Sequence, residues 1–250
     1  MPEPTAEAET IKAEFERAAA FFTERTRGRF DALDVVSFAQ VPHGATVLEV
    51  GAGTGNFLSL FAEVAGRLVG VDLTLGMLAQ GRREQPNLEL VAADGNRLPF
   101  SDGVFELTSS AQTFHHIARP VPIVQEMARV TAPSGRVLVV DQVAPERYEE
   151  MLAMTELELL RDPSHAVSRS PSAMRLLLQA AGLEIVDERV VSTRELLSKW
   201  MWPGEFPPER IEAVREFVAK RGAETGMKFE AEGDDFSFER RRMMLLAQTV

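Results

Sequence analysis

Three glycines crowd into five positions, Gly51-Ala52-Gly53-Thr54-Gly55, directly after the apolar run of residues 45–50. Glycine allows positive φ there and lets the main chain come close to a ligand. Such a turn, set between a strand and the start of a helix, leaves backbone N–H groups free to face a bound molecule. Around it the chain alternates between strand-like and helix-like segments. The apolar patterning predicts strands at 45–50, 67–72, 88–94, 104–110 and 136–141. Helices are expected between them at 56–65, from a Thr74 cap to 80, and at 122–130, with turns at 98–103 and 133–135. Strands separated by helices of about ten residues demand right-handed βαβ units, hence an α/β fold with a parallel sheet and helices on both faces.

The flanks follow other rhythms. Ile11, Phe15, Ala18 and Phe22 form one stripe of a helix expected over 6–24, and a second helix is expected over 30–39. Beyond residue 141 the pattern predicts helices at 146–160 and 172–181 and a strand at 184–191. A helical region at 194–225, broken at Pro203 and Pro207-Pro208, leads to a loop at 231–238 and a last strand at 242–249. One domain of 1–250 is the economical division. It comprises N-terminal helices (1–40), a cofactor-binding core (45–141), substrate-side helices with an interleaved strand (146–230), and the closing strand (242–249).

Composition narrows the function. The 250 residues carry 27 Lys+Arg against 38 Asp+Glu, a formal net charge of −11, which argues against affinity built on nucleic-acid phosphates. Arg240-Arg241-Arg242 reads as the flank of a strand. With no cysteine, disulfides, zinc–thiolate sites and thiol nucleophiles are excluded, and a cytoplasmic location is compatible. The acidic first residues predict no secretory signal, and no apolar run reaches the roughly 18 residues of a membrane span. A small-molecule partner is expected; the sequence does not set the oligomeric state.

The details of the glycine turn bear on which nucleotide it takes. The dehydrogenase fingerprint places a third glycine where this chain has Asn56. Acidic Glu49 lies two positions before Gly51, where it would repel a pyrophosphate and welcome an amino group. Asp72 ends the second strand, where a carboxylate can accept ribose hydroxyls. Asp94 ends the third, within reach of an adenine amino group. Three acids on successive strand ends describe a nucleoside with a positive tail, such as S-adenosylmethionine.

The stretches VLEVGAGTG, VGVDLTLGML, AADGNRLPFSDGVFE, TFHHI and EMARVTAPSGRVLVVD resemble class I S-adenosylmethionine-dependent methyltransferases. The branch is that of ubiquinone/menaquinone-biosynthesis enzymes and related small-molecule methyltransferases. The resemblance implies a Rossmann-like, mostly parallel sheet of seven strands with the last antiparallel. It implies that Glu49 engages the methionine amino group and that the backbone from Gly51 through Ala52 and Gly53 to Gly55 holds the methionine and ribose. Asp72 would take the ribose hydroxyls, Leu73 and Met77 would cover adenine, and Asp94 with Gly95 would bind its edge. Ser110 and Ala111 would flank the methionine moiety. Phe22 stands where relatives often carry a tyrosine; it either closes over the cofactor or packs on the core.

Transfer from a sulfonium needs alignment and a dry pocket, and a general base only where the acceptor must lose a proton. His115 and His116, after the fourth strand, are the candidates for that base; the alternative is that they pack and bond the loop. His165, Asp141 and Trp200 are candidates for lining the substrate pocket, and Trp200, Met201, Trp202 and Phe206 form either an apolar lid or core. A non-catalytic S-adenosylmethionine- or S-adenosylhomocysteine-binding sensor is the alternative to an enzyme. No acidic metal cluster stands out.

Overall fold

The run Ala-Thr-Val-Leu-Glu-Val builds strand β1 (Ala45–Val50), with Val47 and Leu48 fully buried on opposite faces of the sheet. The computed structural model describes residues 6–201 and 206–249, without the side chains of residues 6–8, 21 and 25; Trp202 and Pro203 lie outside the described residues. β1 pairs in parallel with β2 (Ala65–Asp72) on one side and β4 (Phe105–Ala111) on the other. β3 (Glu89–Ala92) lies outside β2, and β5 (Thr131–Gln142) lies outside β4. Beyond β5 the long strands β6 (Leu183–Leu196) and β8 (Asp235–Thr249) run antiparallel, and the short β7 (Glu230–Glu232) adds a hairpin to β8. The order is β3-β2-β1-β4-β5-β8-β6, with β7 paired to β8. This is the Rossmann-like α/β sheet that the alternation demands, with an eighth strand added. The order reverses between β1 and β4, so the connections after these strands part and open a crevice at their carboxyl ends.

Alternation along the strands divides the core between the two faces. Val47, Leu107, Leu138, Val140, Met244 and Leu246 pack toward helix α2 (Val35–Ala39) and the 3-10 turn Leu58–Phe61. Leu48, Val50, Val69, Val71, Val137, Val139 and Leu245 pack toward helices α4 (Val121–Val130) and α6 (Pro171–Ala180). Helix α3 (Leu75–Glu84) follows β2. A third apolar cluster joins α5 (Tyr148–Arg161), the short α7 (Leu197–Trp200) and α8 (Pro208–Arg221) around Phe238. Among the described residues no helix is long and apolar enough to cross a membrane.

Several expectations are corrected. The helix expected over 56–65 is only the 3-10 turn, because β2 begins at Ala65, paired to Ala45, and leaves the crossover no room. The Thr74 side chain makes no cap bond; its backbone N–H instead donates to Asp72 Oδ1 at 2.8 Å. The turn at 133–135 lies inside β5 as an irregularity, where Glu106 alone faces the stretch between Thr131 and Arg136. The second helix divides at Asp34, which takes a left-handed φ of 49°. β6 continues to Leu196, where the pattern predicts helix from 194, and the loop expected at 231–238 is the β7–β8 hairpin turning through Gly233.

Helix α1 (Ala6–Thr26) crosses the mouth of the crevice. Glu16 accepts the Gly76 N–H at the start of α3, where a carboxylate suits the exposed amides of a helix N-terminus. Thr23 Oγ1 bonds Thr54 Oγ1 at 3.0 Å, and Asn56 Nδ2 donates to Thr26 Oγ1 at 2.6 Å. The residue that breaks the dehydrogenase fingerprint is thus a tether for the N-terminal helix.

Leu138, fully buried in β5, is central to the sheet. Leu138→Ala is expected to destabilise the fold by about 2–5 kcal/mol in urea titration, the range for a buried leucine truncated to a cavity; a loss under about 1 kcal/mol would show that the site collapses around the gap.

Candidate functional site

The glycine turn is tied to β2 by its own backbone. The N–H groups of Gly51 and Ala52 both donate to the Val71 carbonyl at 2.9 Å, and the Gly53 N–H donates to Asp72 Oδ2 at 2.8 Å. Gly51 has φ 76°, and a Cβ there would stand 2.5 Å from Thr113 Oγ1, so both conformation and space require glycine. Asp72 is therefore a hub: one oxygen holds the turn and the other holds the Thr74 N–H at the head of α3. The Thr74 side chain and the Leu73 N–H also hydrogen-bond this carboxylate.

Glu49 lies beneath the same turn. It is buried, and its Oε2 accepts the Leu58 N–H at 3.0 Å. Burial above all pushes its carboxyl well above the ordinary range; the Leu58 bond opposes this and the like charge of Asp72 adds to it. Asp72 is also pushed up by burial, against the N–H groups it accepts. Two buried carboxylates side by side favour a cationic ligand, whose charge would offset their desolvation. The donor set fits the positive tail of S-adenosylmethionine.

A cavity opens over the strand ends, walled by Glu49, Gly51, Ala52, Gly53 and Asp72. Leu73, Met77, Asp94, Gly95, Ala111 and Phe22 complete much of its wall. Two expected residues do not face it. A Cβ at Gly55 would stand 2.3 Å from Leu88 Cδ1, so this glycine serves close packing against the sheet. Ser110 donates to the Val50 carbonyl at 2.8 Å and joins β4 to β1. Asp94 accepts both the backbone and side-chain N–H groups of Asn96, at 2.9 Å each.

A second chamber adjoins the first, and Phe15, Phe22, Arg29, Gln112 and His116 wall both. The Phe15 ring meets Phe22 edge-on at 5.9 Å and His116 at 5.0 Å, which carries α1 across the junction. Gln112 sits there with φ 52°, a left-handed conformation uncommon for a residue with a side chain. Trp200 walls this chamber, with the Arg161 guanidinium 4.6 Å from its ring centre. Sequence reasoning missed Thr193, Glu195, Arg240 and Arg242, which also wall it. The alternation of β8 could have revealed them: Phe238, Arg240, Arg242 and Met244 are all buried on one face.

The histidines stand together. His115 Nδ1 is 2.6 Å from Asp141 Oδ1, and Asp141 also accepts the N–H groups of Gln142 and His115. Burial pushes the His115 imidazole well below its ordinary 6.5, with the neighbouring His116 and His165 adding to the effect, so it is neutral at neutral pH. Its proton belongs on Nδ1, facing the carboxylate, which leaves Nε2 with a lone pair. His116 Nδ1 lies 3.0 Å from the Ser164 carbonyl. Asp141 and His165 do not wall the chamber as expected. Asp141 is buried behind His115, and the His165 ring lies 5.6 Å from that of His115, beside Ser168.

Glu49→Gln keeps an acceptor for Leu58 and removes the buried charge. Because the carboxyl is raised in the folded state, its contribution to stability is lost as pH rises from 4.5 through the raised value. The variant is therefore expected to melt at or above the wild-type temperature near pH 8 while its affinity for S-adenosylhomocysteine falls about tenfold or more. Calorimetric titration and thermal melting check both halves; undiminished affinity removes Glu49 from ligand binding.

Residues 48–139 match the family described as a methyltransferase domain. The uncharacterized methyltransferase YcgJ of Bacillus subtilis is 30% identical over 173 residues, 67% of this chain and 68% of that protein. The demethylmenaquinone methyltransferase of Beutenbergia cavernae is 34% identical over 132 residues, 52% of this chain and 55% of its own. The matches to three such enzymes span only 42 to 65% of their lengths. A solved Bacillus halodurans structure superposes with a TM-score of 0.80 at 24% identity, covering 87% of this chain and 97% of its own. The chain belongs to the class I S-adenosylmethionine-dependent methyltransferases.

Proposed function

We propose that the whole chain is one methyltransferase unit that moves a methyl group from S-adenosylmethionine to a small, partly apolar molecule held in the second chamber. One observation carries this reading: the acid-lined cavity of Glu49 and Asp72 opens, across Phe22, Gln112 and His116, onto a separate chamber. Relatives named for demethylmenaquinone support a partly apolar acceptor.

When bound, S-adenosylmethionine supplies a methyl group already activated on a positively charged sulfur. Glu49 binds the methionine ammonium, and the Gly51–Gly53 backbone lies along the methionine and ribose. Asp72, at the cavity wall, would accept the ribose hydroxyls. Leu73 and Met77 cover the adenine, while Asp94 and Gly95 face its edge. Ala111 keeps the wall beside the methionine narrow, and Phe22 with Phe15 excludes water at the junction of the two cavities. Alignment of this kind is worth about 7–11 kcal/mol in favourable cases.

His115 is the base for an acceptor that must lose a proton. Its Nε2 takes that proton, and Asp141 at Nδ1 fixes the tautomer and stabilises the imidazolium that results. His116, held at Nδ1 by Ser164, orients the acceptor from the shared wall.

Incubation with methyl-labelled S-adenosylmethionine and a panel of quinols, phenols and amines tests the reading. It predicts a labelled small molecule and stoichiometric S-adenosylhomocysteine; tight cofactor binding with no product in cell extract would favour a sensor. His115→Ala is expected to lower turnover about 10²–10⁴-fold with S-adenosylhomocysteine affinity kept. Because a neutral imidazole is required and burial lowers its pKa, kcat/KM should fall only on acidification below pH 6.5. A variant as fast as wild type would leave His115 a packing residue.

A further inference from the structure

The two adjoining cavities differ in charge. The cofactor cavity is walled by three carboxylates and one arginine, whereas the second chamber is walled by seven arginine and lysine side chains and three carboxylates. The chain as a whole is strongly acidic, with a net charge of −11, so a basic chamber does not follow from bulk composition. Three of its guanidinium groups are buried outright: Arg161 and Arg240 are each 7% exposed and Arg242 is 3% exposed, and Arg161 has Glu158 and Asp162 beside it. Arg240 and Arg242 both lean on one carboxylate, Glu195, at 3.3 Å from Arg240 Nη1 and 2.6 Å from Arg242 Nη2. The other side chains they bond, Thr193, Gln112 and Gln142, are neutral. Glu195 is the one carboxylate that these two cations share at contact, with Glu158 acting on Arg240 from further off, and a buried cluster of this kind is weak evidence for a purely stabilising role.

Hydrogen bonding gives an independent indication. Seven buried side-chain nitrogen and oxygen atoms lack a partner among the described residues, and four belong to side chains walling this chamber: Gln112 Nε2, Trp200 Nε1, Arg240 Nε and Arg242 Nε. All four are donors. Buried donors left without acceptors are costly, and their concentration around one chamber calls for a ligand rich in acceptor oxygens.

We infer that the acceptor molecule carries an anionic group, a carboxylate or a phosphate, which enters the second chamber against Arg240 and Arg242 while its apolar part faces Phe15, Phe22 and Trp200. This deepens the methyltransferase reading and rests on it. The electrostatics agree: the burial of Arg242 and the crowding of Arg240 lower the former's pKa to about 10, and the two guanidinium groups bring Glu195 down to about 2. An anion would relieve the repulsion between the guanidinium groups, and the planar fork of each suits two-oxygen recognition. Arg161, buried beside Glu158 and Asp162, and Arg194, paired with Glu230, also wall the chamber.

The test uses the full chain saturated with S-adenosylhomocysteine and titrated calorimetrically with benzoate, phenyl phosphate and the uncharged benzyl alcohol. At least one anion is expected to bind about tenfold or more tightly than benzyl alcohol, and the preferred anion separates carboxylate from phosphate recognition. Arg240→Gln should remove that preference, while S-adenosylhomocysteine affinity, read in the same sample, shows that the fold persists. The comparison of probes on the wild-type chain stands even if the variant does not fold. Equal binding of charged and uncharged probes, or no binding of either anion by a chain that takes S-adenosylhomocysteine, overturns the inference. Failure to bind S-adenosylhomocysteine would instead strike the methyltransferase reading itself.

Discussion

Two buried carboxylates hold this site together. Glu49 and Asp72 sit at the ends of adjacent parallel strands, where burial raises the free energy of their charges and backbone N–H groups, with the Thr74 side chain at Asp72, moderate it. Those N–H groups come from Leu58, Gly53 and Thr74, so the same carboxylates that we propose take a cation also fix the glycine turn and the head of α3. Positive φ at Gly51 and Gly53 follows from that arrangement. In the proposed reading, the cost of burying these two charges and the capacity to take a cationic nucleoside are one property.

Charge is then divided in space. Carboxylates outnumber cations around the cofactor cavity, cations outnumber carboxylates around the neighbouring chamber, and a wall that includes Phe22, Gln112 and His116 is shared between them. The division is built from distant parts of the chain. The acids of the cofactor cavity come from the early βαβ units within residues 48–139, which match the methyltransferase-domain family. The bases at Arg161, Arg194, Lys199, Arg240 and Arg242 come from later segments that the family match does not reach. The proposed division of labour follows the same line, with the cofactor on the segment that the family match covers and the acceptor among segments beyond it, an arrangement by which one fold can serve many substrates.

The sequence is most legible where local signals and the fold agree. The glycine turn, the strand-end acids and the βαβ rhythm are short-range patterns, and the sheet and its cavity follow from them. Gly55 and Ser110 match the family pattern yet do not face the cavity, because Leu88 and the Val50 carbonyl claim them; a motif names positions without saying which way each points. Arg240 and Arg242 are hidden for the opposite reason. A run of three arginines looks like a solvated flank until alternation along β8 turns the first and third inward, and the pairing with β6 that fixes this alternation spans more than forty residues. Asp141 and His165 stand near the chamber but behind its wall, a distinction of a few ångströms that spacing does not encode.

The central claim is that carboxylates on neighbouring strands select an adenosine with a positive tail. Calorimetric titration with S-adenosylhomocysteine, with methylthioadenosine (which lacks the amino-acid end) and with NADH tests it directly. The account predicts that S-adenosylhomocysteine binds tightest and that loss of the ammonium costs about 1.5–3 kcal/mol, roughly ten- to a hundredfold in affinity. NADH binding more tightly than S-adenosylhomocysteine, or methylthioadenosine matching it, would contradict the account.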